Sequence, residues 1–158
     1  MMKKLILFAG LYCLQPALRA ASTIDSTINI TNPVAAVNRA KAHFKANFSE
    51  VQDGQWFNLS GKDMFCLFHQ GEVAIHVFYD NQGFWQYTLK GYLPACLAKN
   101  VKDRVAAHFS QYHISYVNEI LSEENEPVYV INIENATSVK IIQVAGDDIQ
   151  VQLSLQKN

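Results

Sequence analysis

Apolar residues recur at steps of three and four from Val34 to Phe48, then switch to a two-residue alternation beyond Gly54. Val34, Val37, Ala40, Phe44 and Phe48 make one stripe of a helix, with Asn32 placed to cap it and Pro33 at its first position. Gln52-Asp53-Gly54 closes that segment. Four strands are predicted next, at Gln55–Ser60, Met64–His69, Val73–Tyr79 and Phe84–Leu89. Gly61-Lys62-Asp63, Gln70-Gly71 and Asn81-Gln82-Gly83 supply the turns between them.

The pattern then recurs. Leu93-Pro94 opens a second helical stripe through Leu97, Val101, Val105 and Phe109. His43-Phe44 corresponds to His108-Phe109, and Met64-Cys66-Phe68 to Tyr129-Ile131-Ile133, at one shared offset. Val73-Ile75 corresponds to Val139-Ile141, and Trp85-Tyr87-Leu89 to Val151-Leu153-Leu155, one residue further on. Half-chain periodicity of this kind predicts a duplicated unit rather than a solenoid. The expected fold class is α+β in two layers: a tandem duplicated helix plus about four antiparallel strands, with the helices packed on one face of the sheet. A single domain over residues 32–158 would hold repeats of about 32–91 and 92–158.

Alternation assigns faces. Met64, Cys66 and Phe68 are expected to point at the helices, with Val73, Ile75, Val77, Trp85, Tyr87 and Leu89. The opposite face then displays Phe65, Leu67, His69, His76, Phe78 and Phe84. In the second repeat the same face carries Asn132, Lys140, Gln150, Gln152 and Ser154. The solvated face of an antiparallel sheet is commonly polar, so the aromatic one marks an interaction site.

The N-terminus changes the compartment. Lys3 and Lys4 precede an apolar run from Leu5 to Leu14, a break at Gln15-Pro16, and small residues at Ala20-Ala21. That order predicts a signal peptide over residues 1–20, cleaved after Ala20, and the run is too short to span a membrane. A polar lead over residues 21–31 would follow, in a periplasmic or secreted protein with no integral span after cleavage. The chain has 158 residues, 49% of them hydrophobic, and a net charge of −1, which suits one domain. That charge argues against nucleic acid and against a polybasic membrane role. Cys13 leaves with the leader, and Cys66 is expected to be free and buried rather than bonded to Cys96.

No catalytic pattern stands out. The chain lacks a Gly-x-Ser-x-Gly elbow, a phosphate-binding glycine loop, a His-Glu-x-x-His helix and a Cys-x-x-Cys pair. Cys66 and His69, three apart in a strand, fall on opposite faces, which separates a nucleophile from a base. Glu119, Glu123, Glu124 and Glu126 read as an acidic, solvated loop. His69 and His76 could approach each other across a short turn, but two imidazoles are an incomplete metal site. Neither an enzyme nor a cofactor is expected.

The segment Phe44 to Trp56, the hairpin Phe78-Tyr79-Asp80 to Gly83, and Leu93-Pro94 resemble the PepSY-like secreted proteins. These are similar in fold to the β-lactamase-inhibitor proteins, and the resemblance covers Val34 to Gln156. It implies helices on antiparallel strands and no catalytic residues. Gly146-Asp147-Asp148 departs from the Asp-x-x-Gly turn of the first half. The expected function is an exported, non-catalytic, inhibitor-like binding protein, gripping an envelope protein through the sheet. The alternative is a small-ligand or metal-binding protein using the same face with His69 and His76.

Overall fold

The computed structural model describes residues 34–59, 63–123 and 125–158. The signal peptide, the lead and the Asn32-Pro33 cap lie outside the described residues. Two helices, α1 (Val34–Asn47) and α2 (Lys99–His108), accompany eight strands. The strands are β1 (Gln55–Asn58), β2 (Met64–Gln70), β3 (Val73–Tyr79), β4 (Trp85–Tyr92), β5 (His113–Ser122), β6 (Asn125–Glu134), β7 (Ser138–Ala145) and β8 (Asp148–Gln156). All eight form one antiparallel sheet whose spatial order follows the sequence order.

This corrects the expected tandem unit of one helix plus about four strands. The backbone ladder is unbroken, because β4 pairs with β5 from Thr88 opposite Leu121 to Tyr92 opposite Val117. Of the residues expected in an acidic loop, Glu119 lies within β5, Glu123 in the turn after it and Glu126 within β6. The matched positions also differ in environment. Ile75 is buried while Ile141 is half-buried, and buried Val77 corresponds to half-buried Gln143. The helices are unlike as well: α1 has 14 residues, whereas α2 has 10 and follows a 3-10 turn at Pro94–Cys96.

Both helices cover the same side of the sheet. Ala36, Ala40 and Phe44 of α1 pack on Met64, Cys66, Phe68, Ile75, Val77 and Tyr79. Val101 and Val105 of α2, with Leu97, pack on Tyr92, Val117, Ile131, Ile133, Ile142 and Val144. Val34, placed on the first stripe by its spacing, is instead exposed, and Ala36 takes the buried position. Val73 touches both clusters, and Thr88 and Tyr92 on β4 share one face, so the clusters lie on one side. Between them sits a polar seam. The Tyr92 hydroxyl donates to Glu119 Oε2 at 2.6 Å, and Lys90 Nζ lies 3.5 Å from Glu119 Oε1. Cys66 and Cys96 are both free; Cys66 is fully buried and burial pushes its thiol up to about 12.

The β3–β4 turn fixes α1 against the sheet. Asp80 Oδ1 accepts from the backbone N–H groups of Gln82 and Phe84, each at 2.9 Å, and the Asp80 carbonyl accepts from Gly83 N–H. Gly83 has φ of 84°, and a Cβ there would run into the Ala36 carbonyl of α1. Gly71, at φ 60°, has nothing within 4 Å of the corresponding position. Gly71→Ala should therefore cost only the left-handed penalty of about 1–2 kcal/mol. Gly83→Ala should cost clearly more in urea unfolding, since α1 must also move. Equal losses would contradict this packing.

Candidate functional site

With both helices on one side, the other side of the sheet carries the candidate site. Strand registry arranges it in rows running across the strands. Phe57 opposes Phe65, Phe65 opposes Phe78, and Phe78 opposes Tyr87, which makes an aromatic row over β1 to β4. Ring centroids along it lie 4.9, 5.3 and 4.5 Å apart, with planes 16°, 28° and 22° from parallel. These separations match the spacing of neighbouring strands. Rings lying flat on the sheet would collide at that spacing, so they stand upright and stack on one another.

The next row runs from Leu67 through His76 and Leu89 to Ile120 and Val128. Beyond it come His69, Ala74, Gly91, Asn118, Val130 and Gln143. Gly91 has a steric role here: a Cβ would meet the Tyr116 hydroxyl, so the missing side chain lets that ring lie over β4. Tyr116, Asn132, Ile141 and Leu153 make a further row. None of these positions is Lys, Arg, Asp or Glu. The nearest carboxylates stand at the margin, at Asp63 before β2 and at Glu134, which Lys157 neutralises at 2.7 Å.

The structure brings Phe65, Leu67, His69, His76 and Phe78 onto this face. Phe65, Leu67, His76 and Phe78 are half-buried, and His69 is exposed. Phe84 is not among them. Asp80 captures its N–H in the turn, so β4 begins only at Trp85, and the Arg39 guanidinium of α1 sits 4.4 Å from the Phe84 ring centre. A bulge follows: Phe78 pairs with Tyr87 but Tyr79 pairs with Trp85, leaving Gln86 as the extra residue. Trp85 therefore keeps the helix side, stacking on His43 and donating through Nε1 to Thr88 Oγ1 at 3.1 Å. Tyr87 and Leu89, expected to face the helices, turn to the open face instead. Tyr87 is thus a site residue that alternation missed, because one extra residue inverts every side chain after it.

A second bulge, at Gln152 of β8, has the same effect. Ile142 pairs with Val151, but Ile141 pairs with Leu153. Ser154, expected on the polar face, turns to the helix side beyond the bulge; Lys140, also expected on the polar face, stands there because it pairs with Ile133, and its Nζ lies 5.6 Å from the Tyr112 ring centre. Ile141, Leu153 and Leu155 take the open side, so the β5–β8 half of the face is less polar than its sequence suggested.

His76 is the one ionisable base inside the face's apolar rows. Its ring lies 5.7 Å from Phe65 and 6.2 Å from Phe78, and its Nδ1 is buried without a partner. Burial, and secondarily His69, hold its pKa below the ordinary histidine value. His69 and His76 gain no third ligand: no group of three or more His, Cys, Asp or Glu that could hold a metal occurs among the described residues. A cavity of about 390 Å³ lies on the other side of the sheet, between α2 and the ends of β6 and β7. Arg104, which lines it, is already engaged with the Gly146 carbonyl and with Asp147.

The chain matches no family model and no curated protein. Solved structures share its fold. A DUF2874 family protein from Bacteroides ovatus superposes with a TM-score of 0.63 at 13% identity, over 80% of this chain and 88% of that one. A BLIP-like protein from Bacteroides fragilis gives 0.60 at 11% identity, over 75% and 84%. A Bacteroides eggerthii protein provisionally described as periplasmic gives 0.60 at 13% identity, over 79% and 88%. Likeness at these identities establishes the fold alone. A BLIP-like fold is supported, whereas membership of the PepSY-like proteins is not shown.

Two half-buried histidines should make stability depend on pH. His43, on the helix side, is also held below the ordinary value, mainly by burial and against an opposing pull from Glu123. A depressed pKa in the folded state means that the unfolded chain takes up protons first as pH falls. This contribution is full above about pH 7 and is lost progressively below about 6.5. The urea midpoint should fall between about pH 7.5 and pH 5, and fall less in His76→Gln. A midpoint that holds or rises over that window would contradict it.

Proposed function

We propose that the chain is an exported, non-catalytic binding protein, inhibitor-like in mode, that engages a protein partner of the cell envelope through the open face of its sheet. The observation that carries this reading is the stacked row Phe57-Phe65-Phe78-Tyr87 on the side away from α1 and α2. Aromatic surface rimmed by polar groups is typical of interaction sites, and aromatic anchors dominate their energetics. Phe65, Leu67, His69, His76 and Phe78 form the contact, joined by Tyr87, while Phe84 is left out. The leader pattern from Lys3 to Ala21 supports export to the periplasm or beyond, ahead of a single domain after the 21–31 lead. The BLIP-like and provisionally periplasmic structural neighbours agree with that reading. No helix among the described residues is long and apolar enough to cross a membrane. A metal or small-ligand reading of His69 and His76 has less support, since no further ligand joins them.

The test compares the two sides of the same strand. Phe78→Ala and Tyr87→Ala should each weaken capture of envelope partners by about thirtyfold. Phe78→Ala should cost only about 1–2 kcal/mol of stability, because it removes cross-strand ring pairs rather than core. Phe68→Ala, on the helix side of β2 and 2% exposed, should destabilise by about 3–5 kcal/mol. The reading fails if Phe78→Ala lowers the melting temperature as far as Phe68→Ala, or if partners are retained without the aromatic row.

A further inference from the structure

The upright packing of the rings decides what this face offers a partner. An aromatic ring is electron-rich on its faces and electron-poor at its edge. Along Phe57, Phe65, Phe78 and Tyr87 each stacking contact occupies ring faces, so the row presents its edges outward. Recognition of a cation needs a ring face. Edges favour carbonyl oxygens. The absence of formal charge from the rows adjoining the rings points the same way, since a charged group docked there would lose its water with no counter-ion to meet.

His76 supplies the one directional feature. Its Nδ1 is buried and unpartnered, whereas its Nε2 has no hydrogen-bond partner among the described residues. A buried N–H without an acceptor is rarer in folded proteins than an unpaired acceptor. The proton therefore belongs on Nε2, and Nδ1 carries only a lone pair. The result is a single N–H donor among apolar side chains.

We infer that the face binds an uncharged polypeptide segment, which sets carbonyl oxygens on the ring edges and accepts a hydrogen bond from His76 Nε2. This deepens the proposed function and rests on it. The same geometry makes the contact sensitive to acid. A second proton on His76 would need Nδ1, which has no acceptor and no access to water, and would place a charge beneath a neutral segment. The other titratable groups facing His76 are His69 on β2 and Tyr87 on β4, with Asp63 at the margin beside Tyr87. Tyr87, raised by burial and by Asp63, stays neutral over this range.

The experiment pans the mature protein against a phage-displayed library of random peptides at about pH 7.5. Recovered sequences are then made with capped ends and titrated by calorimetry. The shared core of these peptides should lack Lys, Arg, Asp and Glu, and Phe78→Ala should weaken them about thirtyfold. Wild-type affinity should fall about tenfold from pH 7.5 to pH 5, a change worth about 1.4 kcal/mol. His76→Gln, which keeps an N–H donor but cannot titrate, should weaken neutral-pH binding less than His76→Leu and lose most of the pH response. His76→Leu should lose affinity at both values, with circular dichroism confirming that each variant is folded. A core rich in Lys or Arg, or competition by a neutral oligosaccharide such as chitotetraose, would overturn the inference while leaving a Phe78-dependent binding face intact. A pH response that survives in His76→Gln would also overturn it. Recovery of no peptide that depends on Phe78 would overturn both the inference and the reading on which it rests.

Discussion

Backbone pairing between β4 and β5, from Thr88 opposite Leu121 to Tyr92 opposite Val117, is the interaction on which the rest of the structure depends. It makes one sheet of all eight strands and fixes the parity that puts the contacts of α1 and α2 on the same side. A sheet buried on both faces needs cover on both. Among the described residues the two helices cover one side, while on the other Leu89 and Ile120 are buried and the rings of Phe65, Phe78 and Tyr87 are half-buried. The seam of Lys90, Glu119 and Tyr92 suits this junction: it lies on the covered side at the edge of the second cluster, to which the Tyr92 ring belongs, and the Tyr92–Glu119 hydrogen bond satisfies its polar groups.

Local geometry then determines the character of the open face. The bulge at Gln86 sends Tyr87 to the open side and completes a row that would otherwise end at Phe78. Stacking contributes modestly to stability, about 0.2–1 kcal/mol for each cross-strand pair. The larger free energy is latent, because half-buried rings with little polar company gain most when a partner removes their remaining contact with water. Gly91 shapes the neighbouring surface by letting Tyr116 lie over β4. His76 introduces an imidazole among Phe65, Leu67, Phe78 and Leu89, and its buried Nδ1 couples that point to pH.

Much of this was legible in the sequence where the alternation is uninterrupted. Met64, Cys66 and Phe68 face the helices, as do Ile75 and Val77, and the opposite positions of β2 and β3 give five of the face residues directly. The errors begin at the bulges. Neither Gln86 nor Gln152 differs in type from its polar neighbours, so nothing in the pattern marks them as the extra residue, yet each inverts what adjoins it. Val139-Lys140-Ile141-Ile142-Gln143-Val144 fits either parity by composition, and only pairing with β6 and β8 chooses Ile142 and Val144 for the core. Strand β5 was hidden for a different reason. Its glutamate suggested a loop, whereas Glu119 is accommodated by partners on β4 that are distant in sequence. The likeness between the two halves was suggestive in sequence, but environments at the matched positions diverge.

The central claim is that the aromatic row is open in the isolated protein, not covered by the chain itself. Hydroxyl-radical footprinting of the mature protein, read by mass spectrometry, measures this side chain by side chain. The account predicts that Phe57, Phe65, Phe78 and Tyr87 are oxidised in the native state, while Phe68 and Tyr79 on the helix side react only after unfolding. Equal protection of both sets in the native protein would show that the face is covered, and would contradict the account.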